Sequence, residues 1–329
     1  DRAKPALPFM GRPLVGYVAE YLARFGCDEI IVNLHHRPES VRAALGDGSD
    51  FGVRLSYIEE PEILGTSGAI DNARAYLEGD TFIVVNGKIA TDIDLRAALE
   101  THRRERALAT LVLRPNVERE RYSIVEVEGS AIVKFGGYPS ASPSVASPSG
   151  VVSVQSEIAP EVGVGPEVEV APLMFTGIQI LEPRIFDYIP RGVFSHSVTD
   201  VYLPAIARGE RIAAHVSGGM WHELSTIRRY LSISLSLLER EGRDVQLDAT
   251  SHVEAGAEVR DALLWENARV EAGARVSRAV IGAGVRIRRG EVIEDAAVVR
   301  AALVGGEERP AKALAGEVRG DNFVVPLAQ

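Results

Sequence analysis

Apolar residues in the first part of the chain alternate between a helical spacing and short unbroken runs. Val15, Val18 and Leu22 recur at the interval of an amphipathic helix. Glu29–Leu34 is instead a short, β-branched run, which is typical of a strand buried on both faces. The same alternation predicts helices at residues 12–25, 38–45, 67–77 and 95–106 and strands at residues 29–34, 54–59, 81–85 and 108–114. This order indicates a doubly wound α/β layer on a parallel sheet, with ligands bound at the carboxyl ends of the strands.

The spacing of apolar residues changes after residue 243. They recur there in steps of five or six, and every third step returns after 17 residues, so that Val253, Val270 and Ile287 fall in one register. The corner positions of the repeat carry Gly256, Gly273, Gly282 and Gly290. Glycine is favoured at corners because it adopts positive φ and allows close backbone approach. The pattern predicts a left-handed parallel β-helix of about three coils, with an α/β domain over residues 1–243 and the β-helix and its tail over residues 244–329.

Three further segments are assigned from their composition. Residues 139–170 are rich in serine and proline and then in acidic residues, which predicts a flexible excursion from the α/β domain. The apolar run at residues 173–181 predicts a strand, and residues 231–238 predict a helix that closes the first domain. Residues 322–327 are a candidate for one more short strand.

Composition and charge exclude several classes of protein. Of the 329 residues, 46% are hydrophobic and 25% charged, which indicates a folded chain rather than a disordered one. The 36 Lys and Arg residues against 46 Asp and Glu residues give a net charge of −10, which argues against nucleic acid or an anionic membrane as partner. Cys27 is the single cysteine, so no internal disulfide or cysteine metal site is expected. With no membrane span or export signal in the pattern, we expect a cytoplasmic protein.

The first chemical motif is a lysine held between prolines near the start of the chain. The pentapeptide Lys4-Pro5-Ala6-Leu7-Pro8 lies just before the first predicted helix. A lysine on such a rigid loop is well placed to present its ammonium group to a phosphate. A solvated surface lysine is the alternative interpretation of this pentapeptide alone.

A second motif follows the predicted strand at residues 54–59. Residues 59–69 read E-E-P-E-I-L-G-T-S-G-A, and Gly65 and Gly68 permit the backbone to approach a planar ligand closely. The free N–H groups at the start of the next helix favour an anion, so the loop has the features of a nucleotide site. Plain solvated charge is the alternative interpretation of its acidic half.

Two more motifs complete the set. Asn86-Gly87-Lys88 follows the predicted strand at residues 81–85, and Asp92 comes four residues later. Trp221-His222-Glu223-Leu224-Ser225-Thr226 follows the pair Gly218-Gly219. In this order, the four motifs resemble those of the sugar-1-phosphate nucleotidyltransferases, and the resemblance extends over nearly the whole chain.

The resemblance implies a role for each matching residue. Lys4 matches the phosphate-contacting lysine of the family's K-P-x-x-P segment, and Glu223 stands at a metal position of its W-x-D-x-G-T segment. The implied nucleotide-binding residues are Glu60, Pro61, Gly65, Thr66 and Ser67, and the implied sugar-binding residues are Asn86, Gly87, Ser123 and Gly177. In this family a sugar 1-phosphate oxygen attacks the α-phosphate of a nucleoside triphosphate, pyrophosphate leaves, and Mg²⁺ neutralises charge. The implied fold is a Rossmann-like domain followed by the β-helix.

The chain departs from the family pattern at several positions. Lys88 stands where the aspartate of an N-G-D turn would hold Mg²⁺, and Glu223 replaces a second aspartate. A charged ammonium group has no lone pair for a metal, so Lys88 is expected to supply part of the positive charge itself, as a catalytic residue beside Lys4. Gly137-Tyr138-Pro139 replaces the family's E-K-P, and Ser123 replaces a glycine. The family's opening G-G-x-G-T-R-L loop does not occur in the sequence.

These matches and departures leave two functions open. The first is nucleotidyl transfer to a sugar 1-phosphate. Glu60 favours GTP, because a carboxylate accepts the adjacent N1–H and N2–H groups of guanine. Together with the G-T-x-G-A loop at residues 65–69, it resembles the mannose-1-phosphate guanylyltransferase branch of the family, which implies mannose 1-phosphate as the sugar substrate. The second is a catalytically impaired homologue that binds a nucleotide or nucleotide sugar as a regulatory subunit. An acyltransferase is least favoured, since His252 is the one histidine in the coil region. We expect a homo-oligomer formed through the β-helix.

Overall fold

The structure is a computed structural model that describes residues 2–137, 171–304 and 313–327. The excursion predicted at residues 139–170 lies outside the described residues. The helices are α1 (Leu14–Arg24), α2 (Pro38–Leu45), α3 (Gly65–Asn72), α4 (Arg74–Leu77), α5 (Leu95–Glu105), α6 (Leu203–Ala207) and α7 (Ile227–Arg240). The strands of the α/β unit are β1 (Pro8–Phe9), β2 (Arg12–Pro13), β3 (Glu29–Leu34), β4 (Arg54–Glu59), β5 (Phe82–Val85), β6 (Ile89–Thr91), β7 (Ala109–Pro115), β8 (Val125–Glu128), β9 (Ala131–Phe135), β10 (Leu173–Leu181), β11 (Ile212–Val216) and β12 (Trp221–Glu223). Single turns of 3-10 or π helix lie at Lys4–Ala6, Ser49–Phe51, Pro183–Asp187 and Ser197–Tyr202.

The main sheet of this unit is mixed. Its six strands run in the order β5-β10-β7-β11-β9-β8. Parallel pairing, which the sequence led us to expect throughout, joins β7 to β11, whereas β10 lies antiparallel between β5 and β7. The alternation of helix and strand is thus the predicted one. The antiparallel insertion of β10 changes the sheet because that strand comes from much later in the chain.

β3 and β4 form a parallel pair of their own. Within the described ranges, β3 pairs with β4 alone and β5 pairs with β10 alone. Ile30 of β3 nevertheless packs in the same hydrophobic cluster as Ile83 and Val85 of β5. The prediction that β3 is buried on both faces is wrong: most of the strand is half-buried or exposed, because its second edge has no strand against it in the described ranges.

Residues at the helix ends explain several boundaries. α1 stops just before Gly26, whose φ of +89° is incompatible with continuing the helix. Two helices replace the single helix predicted at residues 67–77, because the helical conformation is interrupted at Ala73 between α3 and α4. Thr226 caps the start of α7, where its hydroxyl accepts a hydrogen bond from the Arg229 N–H at 3.2 Å.

The second unit is a parallel β-helix. Its strands are β13 (Val245–Leu247), β14 (His252–Val253), β15 (Glu258–Leu264), β16 (Arg269–Val270), β17 (Arg275–Ile281), β18 (Arg286–Ile287), β19 (Val292–Arg300), β20 (Glu317–Arg319) and β21 (Asn322–Pro326). Val253 pairs with Val270, and Val270 pairs with Ile287, which is the register that the repeat predicts. Gly256 and Gly273 have φ of +89° and +80°, as expected for corners.

The last coil is closed by antiparallel strands. β21 pairs with β19, and β20 pairs with β21. The strand predicted at residues 322–327 is therefore confirmed. Gly282 is needed for a different reason from the corner glycines, since a Cβ there would lie 2.9 Å from the Val298 carbonyl oxygen.

Helix α7 packs against both units. Tyr230 of α7 shares a hydrophobic cluster with Leu14 of α1 and with Leu263 and Val280 of the β-helix. The Trp265 indole N–H also donates to the Tyr230 hydroxyl at 3.1 Å. The two units therefore have a common apolar layer. In the part of the chain that the structure describes, no helix has both the length and the apolar character to cross a membrane.

Candidate functional site

The turn that begins at Lys4 carries this lysine to the segment after β12. Its ammonium group donates a hydrogen bond to the Ser225 carbonyl oxygen at 2.7 Å. The neighbouring Arg2 bonds Glu266 of the β-helix and lies over the Trp265 ring, with Cζ 5.9 Å from the ring centroid. The predicted phosphate-binding lysine is thus placed by contacts with both units.

Strands β6 and β12 form a two-stranded ribbon that holds Lys88 against Glu223. Ile89 lies opposite Glu223 in this ribbon, and the Leu224 N–H donates to the Lys88 carbonyl oxygen at 2.9 Å. The Lys88 ammonium nitrogen lies 2.5 Å from Glu223 Oε1. The Tyr122 hydroxyl donates to Glu223 Oε2 at 2.8 Å. Both oxygens of this carboxylate therefore accept a hydrogen bond.

These contacts set the ionisation of Glu223. Burial raises its pKa, but the hydrogen bonds from Lys88 and Tyr122 outweigh burial and hold the pKa below its ordinary value. Burial, followed by the bond to Glu223, raises the pKa of the Tyr122 hydroxyl, which therefore stays a donor at neutral pH. Arg229 pairs with Glu120 and donates from Nε to the Glu223 carbonyl oxygen at 3.0 Å. Glu223 is thus an ionised group between cations.

The two aspartates that follow Lys88 are engaged in local structure. Asp92 Oδ1 accepts a hydrogen bond from the Met220 N–H at 2.6 Å. Asp94 caps α5, where it accepts from the Arg96 N–H at 2.8 Å. The first contact joins β6 to the turn before β12, and the second fixes the start of a helix.

Asn86 and Gly177 meet where β5 lies beside β10. The Asn86 N–H donates to the Gly177 carbonyl oxygen at 3.0 Å, and Gly177 has a φ of +82°. A Cβ on Gly177 would lie 2.2 Å from Asn86 Nδ2, so a larger residue would displace the asparagine. The structure thus brings two predicted sugar-binding residues together. Of the other two, Gly87 follows Asn86 directly, and Ser123 is exposed next to Tyr122.

Glu60, the predicted base-reading residue, is only 5% exposed. Its Oε1 accepts from Asn33 Nδ2 at 2.8 Å, and its Oε2 accepts from the Leu64 N–H at 3.1 Å. His35 Nδ1 lies 2.8 Å from the Glu60 carbonyl oxygen. These bonds fasten the loop to the end of β3. Pro61, the next residue, is exposed.

The start of α3 is covered by a segment from later in the chain. The Ser67 N–H donates to the Ser195 carbonyl oxygen at 3.1 Å, and the Ser197 N–H donates to Thr66 Oγ1 at 2.8 Å. Gly65 has a φ of +76°, and a Cβ there would lie 2.5 Å from the Ser195 carbonyl oxygen. The expectation that the N–H groups of this helix start are free for an anion is wrong for Ser67, because Ser195 satisfies it.

The predicted site residues therefore form two groups. Lys4 and Lys88 meet the segment at residues 223–225, whereas the loop at residues 60–67 packs against Ser195. A cavity of about 720 Å³ lies apart from both groups, between α1 and α7, and none of the predicted site residues lines it. We call the surface formed by Lys4, Lys88 and the segment at residues 223–225 the crevice.

Sequence reasoning missed three residues that shape the site. Tyr122, Arg229 and Ser195 were not predicted to belong to it, and of these only Tyr122 had a signal, since it directly precedes Ser123. Among the departures from the family pattern, residues 138–139 lie outside the described residues.

Comparison with known proteins decides the family. A sequence profile of the nucleotidyl transferase family matches residues 1–240. The chain belongs to the nucleotidyl transferase family. A second profile, for a GlmU-like C-terminal hexapeptide, matches residues 239–302 of this family member. The resemblance drawn from the four motifs is therefore confirmed, as is a Rossmann-like domain followed by a hexapeptide β-helix.

Several curated proteins are similar to this nucleotidyl transferase family member. A UTP–glucose-1-phosphate uridylyltransferase of Synechocystis is 27% identical over 74% of the chain and 60% of its own length. An N-acetylmuramate α-1-phosphate uridylyltransferase of Neisseria meningitidis is 32% identical over 69% of the chain and 85% of its own length. A mannose-1-phosphate guanylyltransferase of Mycobacterium tuberculosis is 26% identical, and the match spans 71% of the chain and 58% of that protein.

A solved structure shares the fold. The crystal structure of HddC from Yersinia pseudotuberculosis matches with a TM-score of 0.56 and 20% identity, over 71% of this chain and 89% of that one. The match supports the architecture of this nucleotidyl transferase family member and carries no information on its ligand.

Proposed function

We propose that the chain transfers a nucleotidyl group from a nucleoside triphosphate to a sugar 1-phosphate, with GTP and mannose 1-phosphate as the preferred pair. One observation carries the proposal: Lys4 and Lys88 meet the segment at residues 223–225, which places two ammonium groups in one crevice. Clustered cations are what a triphosphate and a sugar phosphate require. Membership of the family supports the class of reaction. The match spans 60% of the length of the Synechocystis uridylyltransferase. We therefore propose the activity of the whole protein and do not transfer it from that relative.

In the proposed reaction, an oxygen of the sugar phosphate forms a bond to the α-phosphorus. The bond from the α-phosphorus to the oxygen that bridges to the β-phosphate breaks, and pyrophosphate leaves with that electron pair. Fixed cations lower the barrier because negative charge moves onto the leaving group. An ammonium group has three donor protons. Lys4 donates one to the Ser225 carbonyl oxygen, and Lys88 donates one to the Glu223 carboxylate. We assign the remaining protons to phosphate oxygens.

The preference for GTP rests on Glu60. A carboxylate is the natural acceptor for the two adjacent N–H groups of guanine. The oxygens of Glu60 already accept from Asn33 and Leu64, so guanine has to share or displace those donors. The similar proteins include a guanylyltransferase and uridylyltransferases, so a panel of nucleotides is the direct test of the base.

We assign the sugar to the residues around Asn86. This asparagine is exposed at the end of β5, and its amide offers both donors and an acceptor to sugar hydroxyls. Its side chain lies over Gly177, where a Cβ would displace it, and its N–H donates to the Gly177 carbonyl oxygen. Gly87 and Ser123 are assigned to the same subsite.

Pyrophosphate release tests this function. The full chain is incubated with mannose 1-phosphate and GTP, UTP, dTTP, ATP or CTP in turn, with and without Mg²⁺. We expect the highest kcat/KM with GTP, and a loss of about 10²- to 10³-fold in Lys4→Gln, which removes one charge stabiliser. Arg278→Gln removes an exposed cation from the β-helix and serves as the matched control. Faster release from UTP would overturn the choice of base, and no release from any nucleotide would overturn the transfer.

A second candidate function is a binding homologue that acts as a regulatory subunit. The Lys88–Glu223 pair favours it, because the pair engages a carboxylate that the resemblance assigns to a metal. Calorimetric binding of GDP-mannose, together with no pyrophosphate release from any nucleotide, would select this candidate over the enzyme.

Self-association through the β-helix and a cytoplasmic location stay predictions. β20 is an edge strand, and its Val318 is 65% exposed. Exposed edges of this kind pair with other strands. Light scattering over a range of concentrations measures the mass, and a mass of one chain throughout would contradict a homo-oligomer.

A further inference from the structure

We propose that the crevice binds its phosphorylated ligand without a divalent cation, with the Lys88 ammonium group supplying the positive charge beside Glu223. The inference rests on the proposed function, since it concerns the same nucleotide or nucleotide sugar. It differs from the family expectation, which is Mg²⁺ at this position.

The residues present do not fit Mg²⁺. This ion takes oxygen ligands in near-octahedral geometry, usually one or two carboxylates with phosphates and water. Oε1 of Glu223 accepts from Lys88 at 2.5 Å, and Oε2 accepts from Tyr122 at 2.8 Å. An ion at either oxygen would have to displace a donor, and beside Lys88 it would meet a like charge.

The backbone keeps Lys88 in this position. Lys88 directly precedes β6, which pairs antiparallel with β12, and its carbonyl oxygen accepts from the Leu224 N–H. The Glu223 side chain is 15% exposed, whereas the Lys88 side chain is 42% exposed. The carboxylate is therefore the inner member of the pair, and the ammonium group faces solvent with protons to give to an incoming ligand.

The local balance of charge favours an anion. Among the groups that these contacts join, Lys4, Lys88 and Arg229 are positive and Glu223 and Glu120 are negative, an excess of one positive charge. A nucleotide phosphate is attracted by this excess without a metal. Because part of the attraction acts through solvent, affinity should fall as salt concentration rises.

Calorimetry with GTP and with GDP-mannose tests the inference. Each titration is run on the full chain in excess EDTA and again in Mg²⁺. We expect affinities for the better ligand that agree within about twofold, because the cation is part of the protein. Lys88→Gln should weaken binding by about tenfold or more in both buffers, as expected for a lost charge-assisted hydrogen bond. The matched control, Arg278→Gln, should bind as the unchanged protein does.

Electron paramagnetic resonance of Mn²⁺ gives a readout that needs no ligand and no turnover. We expect the Mn²⁺ spectrum in the presence of the unchanged chain to be the same as the spectrum of the free ion. Lys88→Asp places a second carboxylate beside Glu223 and should create Mn²⁺ binding, whereas the neutral control Lys88→Asn should not. Binding of Mn²⁺ by the unchanged chain that is lost in Glu223→Gln would overturn the inference.

The calorimetric outcomes separate this inference from the proposed function. Binding that requires Mg²⁺ would overturn the metal-free inference and leave the proposed function standing. Equal affinity in Lys88→Gln would do the same, because the charge would then come from elsewhere. No binding of any nucleotide or nucleotide sugar in either buffer would overturn the proposed function, and this inference with it.

Discussion

The β-helix and the crevice differ in whether their contacts repeat along the chain. In the β-helix, one environment recurs with each coil, so that Val253, Val270 and Ile287 occupy equivalent positions. In the crevice, each contact occurs once and joins distant parts of the chain, such as Lys4 and Ser225, which are 221 positions apart. Because its pattern repeats, the β-helix can be predicted from the sequence. Single contacts between remote segments can be identified only in the folded structure.

The two regions also differ in what stabilises them. The interior of the β-helix is apolar and fully buried, and burial of that kind is the main source of folding free energy. The crevice depends on ion pairs and hydrogen bonds that are partly open to water, which contribute little to stability. Substitutions in the β-helix should therefore change unfolding, and those in the crevice should mainly change binding. Four predictions test this contrast.

The largest effect is expected from Ile287→Ala. This side chain is 0% exposed and stacks beside Val270 in the coil interior. Its loss should lower the free energy of unfolding by about 2–5 kcal/mol, through lost burial and the cavity left behind. Ile63→Ala, in the loop at residues 60–67 where Ile63 is 61% exposed, should stay within about 0.5 kcal/mol. Urea unfolding measures both, and equal losses would refute the contrast.

Gly177→Ala should give the next largest loss of stability, because it strains the backbone at residue 177 and displaces the Asn86 side chain. A residue with a Cβ at a φ of +82° costs about 1–2 kcal/mol. The displaced Asn86 should add about 1 kcal/mol, at the low end for overpacking, because this side chain is exposed. Affinity for GDP-mannose should fall as well, if Asn86 contacts the sugar.

Gly209→Ala is the matched control for this glycine. Gly209 has a φ of +84°, and no atom lies within 4 Å of its added Cβ. This variant should show the backbone strain alone and leave GDP-mannose binding unchanged. An equal loss of stability in the two variants would mean that Asn86 is free to move aside.

Trp265→Phe tests the contact between the β-helix and α7 of the α/β unit. The variant keeps an aromatic ring but loses the N–H that donates to the Tyr230 hydroxyl, which should cost about 0.5–1.5 kcal/mol. A double-mutant cycle with Tyr230→Phe isolates the pair. Additive effects in the cycle would show that this bond does not couple the units.

Glu223→Gln should have the smallest effect on stability and a distinctive dependence on pH. The folded pKa of Glu223 lies below its ordinary value of 4.5. The stabilisation is therefore present above that value and is lost as pH falls through the lower, folded pKa. The difference between wild type and variant should stay below about 1 kcal/mol near pH 7 and shrink below about pH 4.5. Unfolding followed between pH 3 and pH 7 measures it, and a difference that grows on acidification would contradict the ionised pair.

Local pattern was sufficient for most elements and for the whole coil register. The helical spacing at Val15, Val18 and Leu22 and the 17-residue return at Val253 and Val270 depend on sequence neighbours or on exact repetition. The pairing of strands could not be predicted in this way. The antiparallel position of β10 and the uncovered edge of β3 depend on pairing between remote segments, which hydrophobic periodicity does not encode.

The same limit applies to the candidate site. The motifs predicted Lys4, Lys88 and Glu223 as site residues, and the structure places both lysines against the segment at residues 223–225, while their roles stay predictions. They did not reveal that Glu60 accepts from Asn33, nor that Ser195 covers the start of α3, because the partner of a polar side chain is set by the folded chain. A carboxylate read from sequence as a ligand contact is, in this fold, also a structural acceptor.

Helix α7 has one further consequence. Its side chains pack against both the α/β unit and the β-helix in one apolar cluster, so that opening the described units apart would expose that cluster to water. We therefore expect the two units to move together, and fluorophores attached to one unit and to the other should keep a constant separation when ligand binds.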